Sequence, residues 1–342
     1  MSIPAKYPRV PVYPHERIVE VSAAVTRLRD KVVIRRTHEL ALGHVQTVLH
    51  NRDINLTRPE CKEKMGVVIY GDSGAGKSHF LRKRVHTLPE LLAQPEVGTQ
   101  AFARVKFKAP MKLQSAGFLT ASALGYLAER NNEKHDYWGD VSLRVEALGT
   151  RAIQFDETQD AFIRANRLSA ENFLQTFKGL MTHEPHPVAL IVTGTRALEP
   201  YFKIADQQGP RRFYHVTLPN LHFDVDAAFV KNRIDEYCTL AHLENGLEEQ
   251  DYHRLMHSVS YAFGRTFSRA LDGIEEALLA NSSRLERVHL VHAYERESTD
   301  NHPGANVFAV EDYLRVDPTT RDFALPSVPE KRKSQPRSET KW

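Results

Sequence analysis

Apolar positions fall into short β-branched runs separated by stretches of helical spacing. Gly66-Val67-Val68-Ile69-Tyr70 is a compact apolar run that reads as a buried strand. Further strands are expected at Ala101–Phe107, Arg151–Phe155, Val188–Val192 and Phe213–Leu218. Between them, Phe80, Leu81, Val85 and Leu88 recur at helical spacing until Pro89, and residues 116–130 and 169–182 read as helices. Upstream, Val19, Ala23, Val25 and Leu28, then Leu40, Leu42, Val45, Val48 and Leu49, mark helical sets within residues 16–50. Residues 51–65 and the polar stretch Asn131–Asp140, with Tyr137-Trp138 inside it, read as connections. From about residue 223 the pattern is helical throughout, clearest at Phe267, Ala270, Leu271, Ile274 and Leu278.

Strands alternating with helices predict an α/β fold: a five-stranded parallel sheet covered on both faces, followed by a helical lid. The expected divisions are an arm and helical region over 1–50, an α/β core over 51–222, a lid over 223–297 and an extension over 298–342. Four prolines make the first fifteen residues an extended arm, and Lys331-Arg332-Lys333 lies in a tail expected to be disordered and basic.

Composition narrows the function classes only a little. At 342 residues, with 41% hydrophobic and 26% charged residues, the chain has ample material for a core. No apolar run approaches a membrane span, no signal-peptide core opens the chain, and two cysteines imply no disulfide framework. A cytoplasmic protein with no membrane partner is expected. A net charge of +3 permits nucleic-acid binding without arguing for it.

The chemistry begins after the first strand. Gly71-Asp72-Ser73-Gly74-Ala75-Gly76-Lys77-Ser78 fits G-x-x-x-x-G-K-[ST], between a strand and a helix, which is the context a phosphate-binding loop requires. Its glycines let backbone N–H groups turn toward phosphate, and the helix that follows adds its positive end. Lys77 is expected to reach the β- and γ-phosphates of ATP, and Ser78 to ligate Mg²⁺. The third strand ends in Asp156-Glu157, suited to Mg²⁺ coordination at Asp156 and to activation of water at Glu157. That doublet fits hydrolysis better than transfer to a second substrate. Thr195 or Thr193, ending the fourth strand, is placed to bond the γ-phosphate or the attacking water.

Arg211 and Arg212 precede the fifth strand, where an arginine can reach a neighbouring subunit's site. Arg265 and Arg269 lie off the apolar face of the clearest lid helix and are phosphate candidates. Lys106, Lys108 and Lys112 cluster after the second strand and are candidate phosphate contacts for DNA. His183-x-x-His186 has ligand-like spacing, but its proline-bounded loop adds only Glu184, so it is not read as a metal site. Tyr137-Trp138 is read as local packing.

With these residues in place, the chain resembles the AAA+ ATPases of transposition, specifically the TniB family, relatives of TnsC. The resemblance rests on Gly71–Ser78, Asp156-Glu157-Thr158-Gln159, Gly194-Thr195-Arg196 and the more family-specific Asp206-x-Gln208-x-x-x-Arg212-Phe213, and covers roughly residues 16–295. It implies that Lys77 and Ser78 hold nucleotide and Mg²⁺, that Asp156 and Glu157 are the Mg²⁺ and water-activating acids, that Thr195 is the first sensor, and that Arg212 is the arginine finger. Arg265 is the candidate second sensor. Gln154 within the acidic strand and Gly209-Pro210 before the arginines depart from the pattern. The resemblance implies ATP-dependent assembly, as ring or filament, on duplex DNA and presentation of that DNA to a transposase or integrase of the same element, with no DNA cutting by the chain itself. Alternatives are a helicase loader or chaperone-like ATPase acting on a protein, or a signalling P-loop NTPase. A small-molecule kinase is disfavoured by the Asp-Glu doublet and by a lid placed after the fifth strand.

Overall fold

The computed structural model describes residues 10–92, 98–127, 134–163, 165–207, 212–297 and 306–318. Gln208, Gly209, Pro210 and Arg211, the first nine residues and Lys331–Lys333 lie outside the described residues, as does the side chain of Asp206.

Two helices, α1 (His15–Arg29) and α2 (Arg36–Thr57), precede strand β1 (Gly66–Tyr70). The glycine loop leads into α3 (Lys77–Phe80), which widens into a π-turn over Leu81–Val85, and then into the short α4 (Pro89–Leu92). The core continues with β2 (Phe102–Lys106), α5 (Leu113–Ala123), α6 (Tyr137–Ala147), β3 (Ala152–Asp156), α7 (Arg167–Met181), β4 (Ala189–Gly194), α8 (Glu199–Gln207) and β5 (Phe213–Thr217). The strands pair in the order β2-β3-β4-β1-β5, every pair parallel.

Side-chain alternation along the strands makes two cores. Val67, Ile69, Ile191 and Val216 face α2 and the helix after the glycine loop, where Ala41, Val45, Val48, Phe80 and Leu81 meet them. Val68, Tyr70, Val105, Ile153, Phe155 and Val192 face α5–α8, through Val141, Val145, Phe173, Phe177 and Phe202. Helices therefore cover both faces, as the apolar runs predict.

The lid follows: α9 (Phe223–Leu240), β6 (Glu244–Asn245), α10 (Glu249–His257), α11 (Phe263–Leu279), β7 (Arg284–Leu285) and α12 (Arg287–Glu297). β6 and β7 form a short parallel pair. Ile234, Leu255, Phe267, Ile274 and Leu290 build its core, which also takes in Leu28 of α1 and Val307, Phe308 and Tyr313. The Arg29 guanidinium pairs with Asp272 and Glu275 of α11 at 2.8 and 2.7 Å. Buried Arg254 donates to the carbonyls of Val307 and Val310, both at 2.6 Å.

Three local expectations are corrected. Helix α2 runs on to Thr57, because Asn51, Arg52 and Asn55 bond the backbone of neighbouring loops at Lys64, Pro187 and Lys62. The polar stretch around Tyr137 ends in helix α6, capped by the Asp136 carboxylate accepting from Gly139 N–H at 3.0 Å. Strand β4 extends through Thr193 and Gly194, both fully buried in the sheet.

Candidate nucleotide site

The loop after β1 is built around backbone conformations that glycine supplies. Gly74 and Gly76 have φ of 83° and 85°, in the left-handed region. Gly71 N–H donates to the Gly194 carbonyl at 3.1 Å, tying the carboxyl ends of β1 and β4 together. Asp72 is held by the Asn220 amide at 3.1 Å. Lys77 is buried, and its ammonium donates to the carbonyls of Gly71 and Asp72 at 2.5 and 3.1 Å. Burial pushes its pKa down, while Glu157, Asp156 and Asp72 work against that shift. An anionic phosphate beside it would favour the charged form further, so the loop fits a nucleotide. Ser73 and Ser78 are exposed on the same loop.

Asp156 closes β3. Its Oδ1 accepts from the Thr193 hydroxyl at 2.5 Å and from the Glu157 N–H at 3.1 Å. Of the two threonines, Thr193 therefore holds the acid, whereas Thr195 lines the cavity. Glu157 sits at φ 54°, ψ 38°, a left-handed conformation costly for a non-glycine residue and concentrated at functional sites. Gln154, the polar residue inside β3, is satisfied by His86 at 2.6 Å.

A cavity of about 460 Å³ opens from the loop. Its polar end is formed by Ser73–Ser78, Glu157 and Thr195. Its apolar end is formed by Val32 and Val33 from the α1–α2 connection and by Tyr237, Phe263, Phe267 and Leu271 from the lid. A site of this kind accepts an anionic head and a flat apolar body. The lid touches the loop directly: Arg265 N–H donates to the Gly74 carbonyl at 3.2 Å. The Arg265 side chain lies against Gly74, where an added β-carbon would fall 2.7 Å from its Cγ and Cδ. His38 stands in the wall between Phe80 and Phe263, with ring centroids 5.1 Å from each. Its Nδ1 accepts from Arg35 N–H at 3.2 Å, and burial with the Arg35 charge pushes its pKa down to about 4.

The apolar end is what the linear sequence did not reveal. Val33, His38, Tyr237 and Phe263 come from three distant segments, each of which reads as ordinary core. Gly264-Arg265 at the start of α11 was the one visible signal.

Other candidates lie elsewhere. Arg212 sits at the amino end of β5, its carbonyl accepting from the N–H groups of Met65 and Gly66 at 3.1 and 3.0 Å. The glycine loop leaves the opposite end of the sheet, and a five-residue strand spans roughly 16 Å, so Arg212 does not meet the loop of its own chain. Arg269 turns to α12, pairing with Glu297 at 2.6 Å over the Tyr294 ring. Lys106, Lys108 and Lys112 are exposed around the carboxyl end of edge strand β2. His186 Nε2 lies 2.9 Å from the Thr150 carbonyl and 2.7 Å from the Arg52 guanidinium, which occupy it structurally. Trp138 donates to the Leu113 carbonyl at 3.0 Å, packing α6 on α5.

Strand order, glycine loop, acid doublet and helical lid together define a P-loop ATPase of the AAA+ type. Solved structures of similar fold are found. Cdc6p from Pyrobaculum aerophilum aligns with a TM-score of 0.53 and 12% identity, over 81% of this chain and 72% of that one. ORC2 from Aeropyrum pernix aligns with a TM-score of 0.49 and 15% identity, over 76% and 68%. A search of curated proteins finds no match. The family model described as "Bacterial TniB protein" matches residues 34–223, from just before α2 to the start of α9. The chain belongs to the TniB family, AAA+ ATPases of transposition. No helix among the described residues is long and apolar enough to cross a membrane.

Proposed function

We propose that ATP bound between the glycine loop and the lid gates self-association of this chain on duplex DNA, and that the assembled form directs a transposase or integrase of the same mobile element to its target. The observation that carries this reading is the separation of Arg212 from the loop. Lys77, Asp156, Glu157 and Thr195 gather at the carboxyl end of the sheet, while Arg212 lies at the amino end. A site that uses Arg212 is completed by a second copy of the chain, which makes bound ATP a joint between subunits.

Within one subunit the roles follow from chemistry. Gly71–Gly76 surround the phosphates with N–H donors, and Lys77 leaves its loop carbonyls to neutralise the β- and γ-phosphates. Mg²⁺, with Ser78 and Asp156 as protein ligands, would supply charge neutralisation to the phosphate oxygens when bound. The Glu157 carboxylate takes a proton from the attacking water. Thr195 bonds the γ-phosphate side, and Arg265 reports nucleotide to the lid. An arginine supplied in trans by Arg212 would stabilise the charge that develops on transfer, worth about 10³–10⁵ in turnover. Lys106, Lys108 and Lys112 would contact DNA phosphates, giving sequence-independent, salt-sensitive affinity.

The test is sedimentation and negative-stain imaging with duplex DNA in ATP, a non-hydrolysable analogue, ADP or no nucleotide. Rings or filaments on DNA in ATP and the analogue alone are the expected result. Intact nucleotide binding with no DNA assembly would overturn the reading in favour of a loader or signalling ATPase directed at a protein.

A further inference from the structure

We propose that Gln159 is a positioning residue of the hydrolytic site, a neutral clamp that fixes the Glu157 carboxylate and ties it to the turn at Thr195. The inference rests on the reading of Glu157 as the group that activates water. Gln159 lies two residues beyond Glu157 in the short 3-10 turn Thr158–Ala161 and is 8% exposed. Its amide nitrogen donates to Glu157 Oε2 at 2.6 Å. Its amide oxygen accepts from the Thr195 N–H at 3.2 Å. The amide has one productive orientation, because a flip would set its oxygen against the carboxylate and its NH₂ against an N–H. The nitrogen also faces Asp160 Oδ1 at 3.5 Å, which reinforces the same orientation.

The β4 tip is shaped to admit this side chain. A β-carbon at position 194 would lie 2.5 Å from Leu198 Cδ1 and 2.6 Å from Gln159 Oε1, so glycine there leaves room for both side chains. Glu157 is thus oriented by a neutral donor, while the Lys77 ammonium acts on it only through its charge. The other end of the same amide holds the backbone at Thr195, which lines the cavity where the γ-phosphate would lie. A shift of the Thr195 turn on phosphate contact would move the carboxylate with it. The bridge links sensing of the phosphate to placement of the base through one side chain.

The experiment measures ATP turnover, ATP-analogue affinity and melting temperature for Gln159→Met, Gln159→Glu and Glu157→Gln in the full chain. Gln159→Met keeps length and volume but loses both amide groups. Its expected effect is a kcat lower by roughly 10- to 100-fold, the scale set by small misplacements of reacting groups, with affinity and KM within about twofold. Gln159→Glu keeps an acceptor for the Thr195 N–H but has no donor for Glu157, so its kcat is expected to fall on the same scale with affinity retained. A merely structural residue would lower affinity and melting temperature together. Gln159→Met or Gln159→Glu with native kcat, or parallel loss of affinity and turnover in both, would overturn the clamp. Glu157→Gln separates the two claims: it is expected to abolish turnover with affinity retained. If it does while the Gln159 variants behave as wild type, the clamp alone fails; if it turns over normally, the reading of Glu157 fails as well.

Discussion

Gly264, at the start of lid helix α11, rests on Gly76 of the phosphate loop so closely that a β-carbon on it would lie 2.8 Å from the Gly76 Cα. The same β-carbon would lie 2.8 Å from the Gly74 carbonyl oxygen. Backbone meets backbone there with no side chain between, so the glycine loop and the lid helix are in direct main-chain contact.

Replacing Gly264 with alanine forces those backbones apart. Because the neighbours are main-chain atoms and not a flexible side chain, the lid helix must tilt. Overpacking of this kind costs about 1–3 kcal/mol, and it falls on the closed cavity. Titration with a fluorescent ATP analogue should show affinity weakened by roughly tenfold, with circular dichroism unchanged. Native affinity would show that the lid is not seated as described.

Lys77→Ala removes the buried ammonium that bonds the Gly71 and Asp72 carbonyls. Nucleotide binding should be lost in an equilibrium titration while the fold survives, since the loop glycines and the Gly71–Gly194 bond remain. Retained affinity would remove Lys77 from the site.

Arg212→Ala should abolish turnover while leaving nucleotide binding in place, because Arg212 lies at the far end of the sheet from its own loop. Mixed with Lys77→Ala protein, it should regain part of the activity, at interfaces that combine an intact loop with an intact Arg212. Absence of recovery in a mixture proven to co-assemble would contradict the assignment in trans.

His38 makes stability pH-dependent. Its pKa is about 4 in the folded chain against an ordinary 6.5. Between those values the unfolded chain holds a proton that the folded chain lacks, so acid favours unfolding. The contribution is complete above pH 6.5 and is lost as pH falls toward 4, up to roughly 3 kcal/mol. Asp272, raised to about 6 chiefly by burial, acts in the opposite sense over part of that range, so the difference between proteins is the informative quantity. Denaturant titrations from pH 4 to 7 should show a flatter acid loss in His38→Phe than in the native chain. Equal slopes would contradict the buried neutral imidazole.

Much of the core was legible because its signals are local. β1, the glycine loop and the Asp156-Glu157 doublet each occupy consecutive residues, and the Gly-Lys-Ser spacing has one structural meaning. What escaped depends on contacts that the local sequence pattern does not show. Asn51, Arg52 and Asn55 read as a connection, yet their side chains satisfy loop carbonyls and keep α2 helical. Asp136 looked like one more polar loop residue, although it caps a helix whose Tyr137, Val141 and Val145 recur every fourth position. Val307 and Phe308, assigned to an extension, are buried in the lid core, and Arg254 holds that segment through the carbonyls of Val307 and Val310. The apolar side of the cavity was illegible for another reason: Val33, Tyr237 and Phe263 are far apart in sequence, and only the tertiary fold makes them one wall.

The most direct test of the central claim, that hydrolysis at this site controls assembly on DNA, follows light scattering after a limited amount of ATP is added to protein and duplex DNA. For the native chain the signal should rise and then decay as ATP is consumed. For Glu157→Gln it should rise to the same level and persist. Decay at the same rate in both, or assembly that ignores ATP, would contradict the account.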